Sequence, residues 1–199
     1  MLRTTDKLQK RIFDIVLSVF GICMTWWLML LAWLVASIET KSNGLFMQER
    51  IGKKGKPFFV LKIKTMKTIE DMVTTVTTSR DRRITTSGAF FRKIKIDELP
   101  QLFNVLFGSM SFVGPRPDVS GFADKLRGED SIILTVCPGI TGPASLKYKD
   151  EEALLSDQID PEKYNAEVIW PDKVRINKDY INNWSLKKDI IYIIKTITG

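Results

Sequence analysis

Between Ile15 and Ile38 the chain runs for 24 residues without a charged side chain, IVLSVFGICMTWWLMLLAWLVASI. A helix crosses the hydrocarbon core of a bilayer with roughly 20 such residues, so this stretch predicts a membrane-embedded helix. A cleaved signal peptide is the alternative, but the run exceeds an h-region of roughly 7 to 15 residues and no small-residue cleavage site follows it. Both flanks are basic. Arg3, Lys7, Lys10 and Arg11 precede the run and Lys41, Arg50, Lys53, Lys54 and Lys56 follow it, which assigns both ends to the cytoplasmic side. A helix that enters the leaflet, bends and returns satisfies both flanks, provided the backbone groups freed at the bend find partners. Gly21, Thr25 and the pair Trp26-Trp27 are the candidate positions for that bend. A threonine hydroxyl can bond back to the preceding turn, and paired indoles favour an interface.

The remaining residues suffice for one ordinary domain. The expected architecture is α+β and mainly helical, with a membrane-embedded, re-entrant helix in 1–40 and a small cytosolic domain, 41–199, lying on the membrane surface. Residues 57–62, PFFVLK, follow a GKKGK turn and have the aromatic and β-branched character of a strand. LPQLFNVLF, 99–107, places apolar side chains at 99, 102, 103, 106 and 107, the stripe of an amphipathic helix that begins at an acidic pair. The closing SLKKDIIYIIKTITG sets Leu186, Ile190, Ile193, Ile194 and Ile197 on one face, expected to pack on the core in preference to lying on the membrane. Residues 68–79, with five threonines and no helical stripe, are expected to form an irregular or mobile loop.

Thirty Lys and Arg against 23 Asp and Glu give a net charge of +7, which points to an anionic partner: phosphate groups, nucleic acid or an acidic membrane surface. Cys23 and Cys137 have neither the number nor the spacing of a disulfide framework or zinc site. The chain has no histidine, which removes imidazole as base, nucleophile partner and metal ligand. Carboxylates, amines and hydroxyls must carry any chemistry.

The acidic pair is Asp97-Glu98, in KIKIDELPQLFNVLFGSMSFVGPRP. One reading is a helix cap, since an Asp before a helix with Pro in its first turn is a common capping pattern. The other rests on the company of Arg92, Lys93, Lys95 and Arg116. Adjacent carboxylates can divide phosphoryl chemistry, one as nucleophile and one as ligand to Mg²⁺, while arginine binds phosphate oxygens bidentately and lysine adds point charge. Neither a GxxxxGK[ST] P-loop nor a GxGxxG fingerprint occurs. The GKKGK run at 52–56 reads as a solvated turn or lipid-headgroup contact, with phosphate-substrate binding the lesser alternative.

KRIFDIVLS at 10–18, FMQERIGKKGKPFFVLKIKTM at 46–66, RRITTSGAFFRKIKIDELPQLFNVLFGSMSFVGPRP at 82–117, PGITGPASLKYKDEEALL at 138–155 and PDKVRINKDYINNWSLKKDI at 171–190 occur in order along the chain. In these motifs the sequence closely resembles the bacterial sugar transferases, the monotopic polyprenyl-phosphate phosphoglycosyltransferases, in their minimal form. The resemblance implies transfer of a sugar 1-phosphate from a UDP-sugar to undecaprenyl phosphate, with release of UMP and a requirement for Mg²⁺. It further implies that Asp97 attacks the β-phosphorus to give a covalent phosphosugar and that Glu98 holds the metal. Lys62, Arg92 and Arg116 match residues expected near the phosphates. Lys64, Arg83, Gln101 and Asn104 also fall on motif positions, where structural roles compete with substrate binding. It makes 41–199 the catalytic domain, on the cytoplasmic face of the bacterial inner membrane, with membrane lipid and a second copy of the chain as candidate partners and no nucleic acid.

Three departures stand out. Trp26-Trp27 occupies the place where the family usually breaks its membrane helix with Ser-Pro, Ser109 stands where GDMS carries aspartate, and PGITGPAS replaces PGITGLAQ. Two rival readings remain at this level: a non-catalytic membrane adaptor, and a glycosyltransferase working through a direct ternary complex with both carboxylates as metal ligands.

Overall fold

A computed structural model of the chain describes residues 3–67 and 81–199. The threonine-rich stretch 68–79 lies outside the described residues. The fold is mainly helical: α1 (Thr4–Thr40), α2 (Thr86–Lys93), α3 (Gln101–Phe107), α4 (Pro143–Lys147), α5 (Glu151–Ser156), α6 (Pro161–Tyr164), α7 (Trp170–Asn182) and α8 (Leu186–Thr198). Strands β1 (Leu45–Ile51) and β2 (Pro57–Ile63) pair in one two-stranded sheet, and β3 (Ser111–Val113) and β4 (Gly139–Thr141) in another. The chain divides into two compact units: the described residues of Leu17–Gln48 and Phe59–Asn104 form one, and those of Met1–Val16, Glu49–Phe58 and Val105–Gly199 the other.

α1 is uninterrupted over 37 residues, about 55 Å at 1.5 Å per residue, and is long and apolar enough to cross a membrane. Gly21, Thr25 and Trp26-Trp27 are all helical, and the Thr25 hydroxyl donates to the Gly21 carbonyl at 2.7 Å. Most of its apolar side chains are uncovered, with Trp26, Leu31 and Ile38 at 58%, 51% and 76% exposure. An exposed apolar surface of this extent marks a membrane or protein interaction face.

In the first unit the buried stripe of α1 is made of small residues. Ala32 and Ala36, with Leu28 alongside, form a core with Ile63 at the end of β2, Phe91 of α2, and Ile96 and Leu99 on either side of the acidic pair. Thr85 caps α2, its hydroxyl accepting from the Gly88 N–H at 2.9 Å. A Cβ on Gly88 would stand 2.3 Å from the Thr65 carbonyl oxygen, so only glycine lets α2 approach the exit of β2 this closely.

In the second unit Val113, Ile133, Val174, Tyr180 and Ile181 make the core, bringing together β3, α7 and the 3₁₀ stretch Gly128–Thr135. β3 and β4 pair in parallel, Ser111 opposite Gly139 and Val113 opposite Thr141. FVGPRP and PGITG therefore meet backbone to backbone: a Cβ on Gly139 would lie 2.2 Å from the Gly114 nitrogen. α6 passes into α7 through a π turn at Asn165–Ile169. Pro171, without an N–H and with a ring that crowds the carbonyl four residues back, follows that widening.

PFFVLK is a strand as predicted, and the GKKGK lysines 53, 54 and 56 are exposed on a tight turn. Two helical stripes need correction. In α3 the buried side chains are Gln101, Leu102, Asn104 and Val105, while Phe107 is 78% exposed. In α8 the core receives Asp189, Tyr192 and Ile193, and the isoleucines expected to pack on it, Ile190, Ile194 and Ile197, are exposed. Periodicity gives a helix its stripe, but polar partners inside the fold turn the helix about its axis: in α8 the buried carboxylate of Asp189 accepts from Lys10, Tyr180 and Trp184.

Candidate active site

The acidic pair does not lie in the α-helix. Lys95, in the left-handed region (φ 61°), ends the path from α2, and Ile96–Glu98 form a 3₁₀ turn before α3. Asp97 occupies the interior of that turn and caps nothing. Its Oδ1 is buried and has no hydrogen-bond partner among the described residues. This corrects the capping alternative for Asp97. Ile96 and Leu99, anchored in the core formed with Ala32 and Ala36, hold the turn from both sides and fix the carboxylate without bonding it.

Glu98 faces Lys62, whose ammonium donates to Glu98 Oε1 at 3.1 Å. Burial first, and the neighbouring Glu98 charge second, push the Asp97 carboxyl above the ordinary aspartate range, against the pull of Lys62, Lys95 and Arg92. Arg92 is aimed by its own contacts: Nε donates to the buried Thr65 hydroxyl at 3.1 Å, and Nη2 lies 3.6 Å from Met66 Sδ. Lys62, Arg92, Asp97 and Glu98 are thus brought into one cluster by the end of β2, the last turn of α2 and the 3₁₀ turn.

Other motif residues go elsewhere. The Lys64 ammonium donates to the Ser42 hydroxyl at 2.8 Å. Arg83 grips Asp81 two residues earlier, with contacts of 3.0, 3.1 and 2.7 Å, and that grip holds the Asp81 carboxyl down to about 2. Asn104 is structural, its amide donating to the Phe59 carbonyl at 2.7 Å and accepting from the Leu61 N–H at 3.0 Å. Gln101 is buried.

Arg116 belongs to the other unit, where it is exposed on the turn after β3. There β1 runs beside it: Arg50 donates to the Pro117 carbonyl at 3.4 Å and the Ile51 N–H to the Asp118 carbonyl at 2.8 Å. Burial pushes the Asp118 carboxyl up to about 6 although Lys173, Arg50 and Arg116 oppose the shift. The motifs QERIG and GPRPD are neighbours here.

Thr65 and Asp118 are not predicted from sequence, and Arg50 enters there only as part of the basic flank. Thr65 could have been noticed as the polar residue closing KIKTM where a strand ends. Arg50 and Asp118 take their surroundings from contacts distant along the chain: Arg50 meets the Pro117 carbonyl and Ile51 the Asp118 carbonyl, each across 67 residues.

Among the described residues no group of three or more acidic, cysteine or histidine side chains could hold a metal alone. The acidic pair still fits Mg²⁺, which takes one or two carboxylates and fills its shell with substrate phosphates and water. The unpartnered Asp97 oxygen beside Glu98 is a donor set of that kind.

The profile of the bacterial sugar transferase family matches residues 5–199. Over 202 residues, 98% of this chain and 70% of its own length, a UDP-glucose:undecaprenyl-phosphate glucose-1-phosphate transferase of Caulobacter vibrioides is 34% identical. An Escherichia coli protein of the same name is 34% identical over 96% of this chain and 40% of its own length. A putative undecaprenyl-phosphate N-acetylgalactosaminyl 1-phosphate transferase of Bacillus subtilis is 37% identical over 71% of this chain and 79% of its own. With its motifs in order, a helix of membrane length and a match that runs almost from end to end, the chain belongs to the bacterial sugar transferase family.

Proposed function

We propose that the protein transfers a sugar 1-phosphate from a UDP-sugar to undecaprenyl phosphate, yielding the undecaprenyl-diphosphate sugar and UMP, as the first membrane step of a surface glycan. The observation that carries this reading is the buried Asp97 oxygen without a hydrogen-bond partner among the described residues, set beside Glu98, Lys62 and Arg92. In the first half-reaction an Asp97 oxygen attacks the β-phosphorus, the bond from that phosphorus to the oxygen bridging to the α-phosphate breaks, and UMP leaves with the electron pair. In the second, an oxygen of the lipid phosphate attacks the same phosphorus and the Asp97 carboxylate departs. A buried, weakly solvated carboxylate is the better nucleophile for lacking hydrogen bonds that attack would have to break. Lys62 and Arg92 offset the charge of the diphosphate, Arg92 held in place by Thr65. Mg²⁺, bound by Glu98 together with the substrate, would neutralise charge on the diphosphate. Arg116 is a further candidate for phosphate binding on the strength of the GPRP motif.

The relatives differ in the sugar their names specify, glucose in some and N-acetylgalactosamine in others, so a screen of UDP-sugars for UMP release identifies the donor. The basic flanks of α1 support a placement of the catalytic residues on the cytoplasmic face of the inner membrane.

Purified protein given labelled UDP-sugar without lipid acceptor should release UMP and retain an acid-labile phosphosugar, and Asp97→Asn should abolish both. Turnover that survives Asp97→Asn overturns the nucleophile assignment and favours the ternary-complex route. An absence of UMP release with every UDP-sugar would leave the adaptor reading.

A further inference from the structure

α2 leads directly into the turn that carries Asp97, and its two faces are unlike. One face is buried: Phe91 lies in the core made with Ala32 and Ala36, and Ser87 donates to Glu39 at the end of α1. This fixes α2 against residues 28–39 of α1, within and just past the run 15–38 that is too apolar for water. The other face is open. Ala89, Phe90 and Lys93 lie on it with Ile94 just beyond, Phe90 at 56% and Ile94 at 46% exposure, and Lys93 and Lys95 are exposed beside them.

Its neighbours decide what covers this face. Beside the stripe that receives α2, the same stretch of α1 exposes Trp27, Leu31, Leu34 and Val35, at 52%, 51%, 42% and 40%, a surface that is lipid-facing if α1 is membrane-embedded. A helix fastened to that segment meets the same phase at its edge. The lysines complement anionic headgroups, and large apolar side chains flanked by lysines are the pattern of a helix seated at the headgroup and acyl boundary. We infer that Phe90 and Ile94, flanked by Lys93 and Lys95, dock α2 into the anionic leaflet and form the lip over which the lipid phosphate reaches Asp97. This deepens the proposed function and rests on α1 being membrane-embedded. Its kinetic consequence falls on the second half-reaction, because only the acceptor arrives through the leaflet.

The test uses the full chain in nanodiscs rich in phosphatidylglycerol, with Cys23→Ser and Cys137→Ser removing the native thiols and an environment-sensitive fluorophore on Ile94→Cys or, separately, on Trp27→Cys. A lipid nitroxide near the headgroup should quench the Ile94 probe by about half, as expected for a side chain at the interface. An unquenched, water-like Ile94 probe beside a lipid-quenched Trp27 probe overturns the docking face while leaving the membrane helix in place. If neither probe meets lipid, the reading of α1 fails and takes this inference with it. Phe90→Ser with Ile94→Ser should raise the apparent KM for membrane-borne acceptor about tenfold while the UMP burst without acceptor persists. Equal loss in both half-reactions would show a structural role and overturn the lip.

Discussion

At the scale of single residues, Asp118 shows how the fold places a carboxyl where ionisation is costly. Its folded-state value of about 6 lies above the roughly 3.9 of an unfolded aspartate. The stability it contributes is therefore complete below the unfolded value and lost as pH rises through about 6. Asp118→Asn should stabilise the protein at about pH 8 by roughly 1 kcal/mol, discounted for its partial exposure, and the gain should vanish near pH 4 in a denaturation series. Thr65 offers a test of positioning. Thr65→Val removes the hydroxyl that accepts from Arg92, and should lower kcat/KM for the UDP-sugar about tenfold with thermal stability little changed, whereas Thr65→Ser should restore most of it. Asp118 was not legible in the sequence because the cations that oppose its burial, Lys173 and Arg50, are distant along the chain, whereas Thr65 is marked only by its place in KIKTM. Asp97 was legible by motif, but its local pattern suggested a cap, and only the 3₁₀ turn shows that its oxygen is withheld from the backbone.

Among the elements, polar contacts and close approaches set the geometry. Lys10 and Asp189 form a buried pair at 2.6 Å, with the Tyr180 hydroxyl and the Trp184 indole donating to the same carboxylate at 2.7 and 3.0 Å. Lys10→Met leaves that carboxylate uncompensated and should destabilise the protein by about 3–5 kcal/mol. Arg175→Met, which removes an exposed partner of Asp172, should cost far less, and paired denaturation curves compare the two. The approach of Gly139 to Gly114 leaves no room for a Cβ, so Gly139→Ala should cost about 3 kcal/mol, read from a urea melt. PFFVLK and the helical character of the segments around 101 and 190 followed from local pattern. The rotation of α3 and α8 did not, because a stripe of apolar residues fixes a face without saying which buried partner competes for it: Asn104 bonding to β2 turns α3, and Asp189 bonding to Lys10 turns α8.

For the whole molecule, the large uncovered surface of α1 predicts that the protein stays with membranes through an alkaline wash that strips peripheral proteins, and extraction into detergent should be needed to recover it. Cysteine introduced at Arg3 should be labelled only after the cell is permeabilised if both flanks remain cytoplasmic; labelling of intact cells would show that α1 spans. The sequence by itself determined that the chain carries an apolar run of membrane length, that histidine takes no part in its chemistry, and which family motifs it carries. Composition and an unbroken apolar run act through solvation, which needs no knowledge of neighbours. The tertiary structure decided that Asp97 is buried and unbonded, that Lys62 and Arg92 attend it while Lys64 and Arg83 serve other partners, and that its turn is built on alanines of the apolar helix. Those outcomes depend on contacts between segments far apart in the chain, and the free energy of burying a charge exists only once those segments have met.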